Sequence, residues 1–330
     1  MGAGLSGCTL GYLLRQKGKS VLILEKADAR KKNKLCGGII TQKSVHQMKE
    51  IFGEEDVSKL PFWGDGSAVS TNQNLHISVK NSGVQTLPRK ALDDFVLQKY
   101  LDVGGQLLDH TTFTDINTAY NTITAGGVTY GYGKLVAADG TLSAVRKTLT
   151  GETQPKNLAL ELFTPEKSDE LEITFKPELT GYFYKIPNAE GTIYGLGDVS
   201  GNVDHLRKML VDFYGKEDCP EIRGAFLPNS KHLRFHYGDN IFFIGDAAGL
   251  ILPITGEGIY FALLSARFLS RVDTAKQYET IMKNVRHSII KHQIVFRFIY
   301  CTAFRNFMYK AYPYSRALRK LVDAGLSGIL

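Results

Sequence analysis

With 330 residues, 43% hydrophobic and 22% charged, the chain can build one large or two moderate domains, and its composition excludes a disordered or fibrous protein. The net charge of +7 is concentrated in the last helices rather than spread along the chain. No apolar run reaches the roughly 20 residues of a membrane-spanning helix, because Asp246 and Glu257 interrupt the longest candidate.

No secretory leader is read before the glycine motif, and the cysteines (Cys8, Cys36, Cys219, Cys301) lack C-x-x-C or metal-ligand spacing. A reducing cytoplasm and the absence of a metal centre are therefore expected. Gly2-Ala3-Gly4-Leu5-Ser6-Gly7 fits G-x-G-x-x-G; a helical pattern follows to Lys17, then the strand-like Val21 to Leu24, ending in Glu25. The glycines allow a tight turn and a close backbone approach to a pyrophosphate, and the acid can bind a ribose hydroxyl. Such a turn needs a strand before it, and only Met1 precedes Gly2. The expectation is a native start several residues upstream, or a trimmed chain; were Met1 the native start, cofactor affinity should be impaired.

A basic loop, Lys26 to Lys34, leads to Cys36-Gly37-Gly38, and Thr41 can cap a helix through Phe52. Alternation from Pro61 to Arg89 predicts strands, Leu92 to Val103 a helix ended by Gly104-Gly105, and Thr112 to Gly133 a meander. Lys134 to Asp139 reads as a strand running into Asp-Gly, followed by a short helix with Ser143 and Arg146. From Leu158 to Phe235 strands dominate, with one helix near Val203 to Phe213. Ile241 to Ile244 is a buried-strand pattern leading into Gly245-Asp246, a small-residue turn, and a helix that Thr255 can cap. The chain is then helical to its end, broken at Pro313.

In order and spacing, the segments at Gly2, Asp139 and Asp246 resemble the FAD-binding signatures of flavoproteins built like para-hydroxybenzoate hydroxylase. That resemblance implies FAD, with Gly2, Gly4 and Gly7 at the pyrophosphate, Glu25 on the adenosine ribose and Asp246, after Gly245, on the ribityl chain. It also puts Gly256, Glu257 and Gly258 beside the flavin ring, Asp139 near the pyrophosphate, and Arg89 near the cofactor. The expected fold class is α/β: a Rossmann-like FAD-binding domain (1–60, 86–155 and 236–272), an inserted, mostly antiparallel β-sheet substrate domain (61–85 and 156–235), and a C-terminal helical segment (273–330).

Two further segments resemble the geranylgeranyl reductase family: Cys36-Gly37-Gly38, and Tyr182-Phe183-Tyr184-Lys185-Ile186-Pro187 followed after seven residues by Gly195-Leu196-Gly197. The family motif is Tyr/Phe-x-Trp-x-Phe-Pro, so Tyr184 and Ile186 depart from it. Strand alternation puts Tyr182, Tyr184 and Ile186 on one face, where with Pro187 they would line an apolar substrate cavity. The alternative is an amphipathic strand of an ordinary sheet. The resemblance implies hydride transfer from reduced flavin to a carbon–carbon double bond of an isoprenoid or similar apolar lipid; with no second glycine fingerprint for a nicotinamide, NAD(P)H is expected to visit transiently, or another donor to reduce the flavin. It places Cys36 beside the flavin, where its thiol would protonate or contact the alkene; otherwise Cys36 is a small buried hydrophobe. The rival functions are an aromatic monooxygenase using NAD(P)H and oxygen, and a non-catalytic flavin- or lipid-binding protein.

Lys283, Arg286, Lys291, Arg297, Arg305, Lys310, Arg316, Arg319 and Lys320 are interleaved with Phe296, Phe298, Tyr300, Phe304, Phe307, Tyr309 and Tyr312. With no nucleic-acid motif present, two readings remain: a helical cap under a basic face, or peripheral contact with an anionic membrane.

Overall fold

The computed structural model describes residues 1–64, 67–79, 83–153, 155–198, 202–253 and 255–320. Helix α1 (Leu5–Gln16) springs from the glycine turn and is followed by β1 (Leu22–Leu24). After β2 (Ile39–Ile40), α2 (Gln42–Phe52) is capped by Thr41, whose side chain accepts from Ser44 N–H; Gly53 at φ 91° separates it from α3 (Glu54–Ser58). The strands β3 (Ala68–Asn72), β4 (Leu75–Val79) and β5 (Gln85–Thr86) precede α4 (Arg89–Asp102) and β6 (Gln106–Leu108). A three-stranded meander, β7 (Phe113–Asn117), β8 (Thr122–Ala125) and β9 (Val128–Gly131), returns the chain to β10 (Leu135–Ala137). Ser143 caps α5 (Ala144–Thr150).

Four long strands follow: β11 (Lys156–Thr164), β12 (Leu171–Phe175), β13 (Gly181–Pro187) and β14 (Thr192–Asp198). Asn202 caps α6 (Val203–Tyr214), which is followed by β15 (Arg223–Pro228), β16 (His236–Tyr237) and β17 (Ile241–Phe243). A 3₁₀ turn (Gly245–Ala248) leads on to α7 (Ile259–Leu269), then α8 (Ala275–Ile299) with a Thr274/Gln277 capping box, and α9 (Thr302–Ala311). None of the described helices is long and apolar enough to cross a membrane.

The parallel layer is in two parts, β1–β6 and β10–β17, with β16 antiparallel on the outer edge of the second. Met1 and Gly2 connect them: the Met1 ammonium donates to Val136 O, Ala138 N–H to Met1 O, and Gly2 N–H to Leu24 O. One core packs around Phe242, Phe243 and Ile244; a second, around Cys8, Met48 and Leu92, shares α7 with the first through Leu264 and Leu263. Burying each such large apolar side chain contributes about 1.5–3 kcal/mol.

A seven-stranded sheet ordered β15-β11-β14-β13-β12-β3-β4 makes the other layer, antiparallel except where β12 meets β3. The period-two alternation of strands splits its side chains cleanly. Phe183 and Leu196 pack with Leu206 and Leu210 of α6, while Tyr182, Tyr184 and Ile186 lie on the opposite face, along a cavity.

Candidate active site

A cavity of about 1710 Å³ extends from the glycine turn and the end of β1, past the N-terminus of α7, beneath the seven-stranded sheet to α8 and α9. Most of the residues singled out in the sequence border it: Gly2, Gly4, Glu25, Cys36, Arg89, Asp139, Tyr182, Tyr184, Ile186, Asp246, Gly256, Glu257 and Gly258. Gly7, Gly245 and Pro187 do not. Gly7 packs against the turn, since a Cβ there would lie 2.0 Å from Gly2 O. Gly245 sits at φ 55° with Ser6 Oγ 2.8 Å from where a Cβ would be, so the turn itself requires glycine there. Pro187 gives its carbonyl to Thr86 Oγ1 (2.7 Å).

At one end, the buried carboxylate of Glu25 accepts from Ala3 N–H (2.8 Å), Ala27 N–H (3.1 Å) and Lys32 Nζ (2.7 Å). Burial raises its pKa, but the Lys32 ammonium and the two N–H groups outweigh that and hold it below the usual carboxylate range. Asp246 receives Lys34 Nζ at 2.6 Å. Both acids of the expected cofactor track are thus met by lysines of the loop after β1, a pairing the sequence reading did not draw.

The helix ends supply the complementary charge. Gly4 is the N-cap of α1 and makes no side-chain cap, leaving the first N–H groups beside the cavity. Gly258 is the N-cap of α7, likewise without a side-chain cap. Thr255 therefore does not cap α7: the helix begins at Ile259, and Thr255 Oγ1 accepts instead from Glu257 N–H (3.4 Å). Glu257 borders the cavity, but its carboxylate is taken by Thr41 Oγ1 (2.6 Å) and Ser44 Oγ (3.1 Å), tying α7 to the start of α2. Arg89, the first residue of α4, is buried and forks onto Asp93 Oδ1 through Nε (3.0 Å) and Nη2 (2.9 Å).

These residues fit FAD on two observations. Asp139 Oδ1 is buried and makes no hydrogen bond, while its other oxygen accepts from Val145 N–H (3.2 Å). A Cβ at Gly4 would meet nothing within 4 Å, so the turn leaves open space where a phosphate would come against bare backbone.

Further along, the wall is aromatic. Phe296, Tyr300, Phe175, Tyr182 and Tyr184 form a chain of ring contacts with centroid separations of 4.2, 6.0, 6.0 and 6.0 Å. Tyr182 Oη donates to Thr255 O (2.5 Å), fixing the strip to the loop before α7. Cys36 Sγ accepts from Gly38 N–H (3.4 Å) at the junction of the two regions. The sequence reading missed Glu161, which faces the cavity from β11, and Phe175 on β12. For Glu161 the available signal was one acid among the apolar residues Leu158 to Leu162. Among the described residues no group of three or more His, Cys, Asp or Glu is arranged to hold a metal.

The profile of the NAD(P)-binding Rossmann-like domain family matches residues 1–30. An uncharacterised protein of Methanosarcina barkeri is 28% identical over 82% of this chain and 73% of its own length. A geranylgeranyl diphosphate reductase of Rhodobacter capsulatus is 23% identical over 83% of this chain and 74% of that protein. Among solved structures, a geranylgeranyl bacteriochlorophyll reductase-like protein of Thermoplasma acidophilum superposes with a TM-score of 0.80 at 16% identity, covering 95% of this chain and 90% of that one. A single-residue variant of Klebsiella pneumoniae HpxO, complexed with FAD, gives 0.71 at 16% identity over 99% and 97%. The chain has the Rossmann-like FAD-binding fold of FAD-dependent oxidoreductases and is similar in sequence to geranylgeranyl reductases among them.

Proposed function

We propose that the protein reduces carbon–carbon double bonds of an elongated apolar molecule of the isoprenoid type, using FAD, with NAD(P)H as a transient reductant. The observation that carries this reading is the continuity of the cavity: the polar dinucleotide track at Gly4, Glu25 and Asp246 opens directly into the aromatic strip of β12, β13 and α8. FAD, when bound, supplies the hydride. The chain's part is positioning. The N-terminus of α1 takes the pyrophosphate, and Glu25 and Asp246 take ribose and ribityl hydroxyls. The α7 N-terminus favours negative charge on the ring by about 0.3–2 kcal/mol. The aromatic strip excludes water and orients the chain of the substrate, and Cys36 contacts the reacting double bond. The test is anaerobic: FAD-loaded protein, a chemical reductant and a geranylgeranyl lipid should yield product heavier by two hydrogens per reduced bond. Product formed only with oxygen, carrying one added oxygen atom, would identify a hydroxylase instead.

We further propose that α8 and α9 rest on an anionic membrane from which the substrate enters. Ile294 (56% exposed), Phe298 (54%) and Phe307 (66%) stand out from helices that also present Lys291, Arg297 and Lys310, and Phe298 also lines the cavity. Not every residue of the basic, aromatic run belongs to that face. Arg305 is 3% exposed, bonded to Asn72 Oδ1 and stacked on Phe175, and Tyr309 is buried against β3. The protein should float with vesicles containing anionic lipid at low salt and be released at high salt, because exposed charges are screened beyond about 10 Å at 0.1 M. Equal recovery with neutral and anionic vesicles would count against the contact.

A further inference from the structure

A transverse row crosses the sheet above the cavity. Ile173, Tyr184, Gly195, Glu161 and Arg223 are successive cross-strand partners on β12, β13, β14, β11 and β15. Gly195 is the gap in that row: a Cβ there would lie 2.3 Å from Tyr184 Cζ and 2.5 Å from its Oη. The tyrosine ring therefore lies across β14, and its hydroxyl donates to Glu161 Oε1, one strand beyond, at 2.7 Å. Both residues border the cavity, and Glu161 is only 6% exposed.

The groups facing this carboxyl are few. Tyr184 and Tyr182 come from β13, Arg223 from β15, and Cys36 from the loop before β2, whose backbone N–H donates to the carboxylate. The Arg223 guanidinium gives a hydrogen bond to Asn33 O (3.1 Å), and among the described residues no cation is within ion-pair distance of Glu161. Burial on an apolar wall without an ion pair favours the protonated form of an acid. Burial raises the Glu161 pKa to about 7, against the opposing pull of the Tyr184 hydroxyl, Arg223 and the Cys36 N–H. Tyr184, buried beside it, is pushed well above its ordinary value.

We infer that Tyr184 and Glu161 deliver the proton that completes double-bond reduction, Tyr184 as the hydroxyl that meets the substrate and Glu161 as the positioning acid that refills it. This rests on the reductase reading above. The Tyr184 O–H bond breaks as a C–H bond forms at the alkene carbon that does not receive the hydride. The Glu161 O–H bond breaks as the Tyr184 O–H re-forms. Both electrons of the reduction come with the hydride from the reduced flavin, and Glu161, left as carboxylate, regains its proton from water between turnovers. When Glu161 is protonated its hydroxyl donates to Tyr184, whose own O–H is then free to point into the cavity. When ionised it accepts the Tyr184 proton across the same 2.7 Å contact and holds that O–H to itself. Delivery therefore requires the protonated acid.

Infrared titration of FAD-loaded wild type and Glu161→Gln locates the proton without turnover. The protonated-carboxyl band absent from the variant should titrate in the wild type near pH 7. Tyr184→Phe should move that midpoint upward, because the ionised form loses its donor. In anaerobic assays kcat of the wild type should fall as pH rises through the same midpoint. Glu161→Gln, which keeps an acceptor for Tyr184, should lower kcat about 10²-fold with KM little changed and abolish that pH dependence. Glu161→Asp should restore part of both. A midpoint in the ordinary carboxylate range, or a Glu161→Gln enzyme with wild-type rate and pH profile, overturns the pair. If the wild type binds FAD and titrates as stated yet saturates no alkene, the reductase reading is overturned, and the delivery role with it.

Discussion

Gly7→Ala is expected to lower stability by about 3 kcal/mol, whereas Gly4→Ala, three residues earlier, leaves stability nearly unchanged and weakens FAD binding. The difference lies in what each new methyl would meet. At Gly7 it would lie 2.0 Å from Gly2 O and 3.3 Å from Ala138 Cβ. The first of these is backbone, so no rotamer relieves the overlap, and α1 must lift from the turn that joins β1 to β10 through Gly2. At Gly4 the methyl meets nothing within 4 Å, and the backbone there is extended (φ −93°, ψ −176°), a conformation alanine adopts without strain. Exchanging glycine for alanine at this N-cap costs only a few tenths of a kcal/mol to about 1 kcal/mol. The methyl does occupy the space beside the first free N–H groups of α1, so FAD should bind at least about tenfold more weakly, a loss of about 1.4 kcal/mol. Thermal unfolding without added cofactor, paired with FAD titration, separates the two. A Gly4→Ala protein with wild-type FAD affinity would refute the placement of the pyrophosphate at this turn.

The fold was legible where chemistry is local. Thr41 announced the helix that runs to Phe52, the alternation at 112–133 announced the meander, and a G-x-G-x-x-G run with its helix and strand announced the first βα unit. The motif strand Tyr182 to Pro187 split its faces as alternation requires, because a strand covered by α6 on one side leaves only one choice for the other. What escaped depends on pairing between segments distant in sequence. Thr255 looked like a helix cap, but the loop spends it on Glu257 and lets α7 start at Gly258, uncapped by any side chain. The loop lysines Lys32 and Lys34 read simply as charge, and nothing in their spacing said that one would meet Glu25 and the other Asp246. Arg305 sat in a basic run and proved to be buried over Phe175. Glu161 is the clearest case, since its partners come from β13, β14 and β15 and become its neighbours only once the strand order of the sheet is set.

Glu161→Gln is expected to stabilise the protein by about 3 kcal/mol at pH 8 relative to its effect at pH 4. The native pKa of Glu161 is raised from 4.5 to about 7 by burial, so the folded state holds a proton that the unfolded state has released. Below pH 4.5 both states are protonated and the group contributes no penalty. Between 4.5 and about 7 the folded state binds more protons than the unfolded one, and wild-type stability falls by about 1.4 kcal/mol for each pH unit from this residue alone. Above pH 7 the penalty is complete at about 3 kcal/mol and stays constant. Glutamine accepts from Tyr184 as the carboxylate does but carries no charge to desolvate, so the variant lacks the slope. Glu25 works in the opposite direction: its lowered pKa adds stability at neutral pH that is lost as pH falls through its native value. Because that contribution is common to wild type and variant, the difference between their denaturation curves isolates Glu161. Urea midpoints measured from pH 4 to 8 should diverge steadily between about 4.5 and 7 and run parallel above. Parallel curves across the whole range would mean that Glu161 is ionised in the folded protein, and that the cavity ceiling holds a charge rather than a proton.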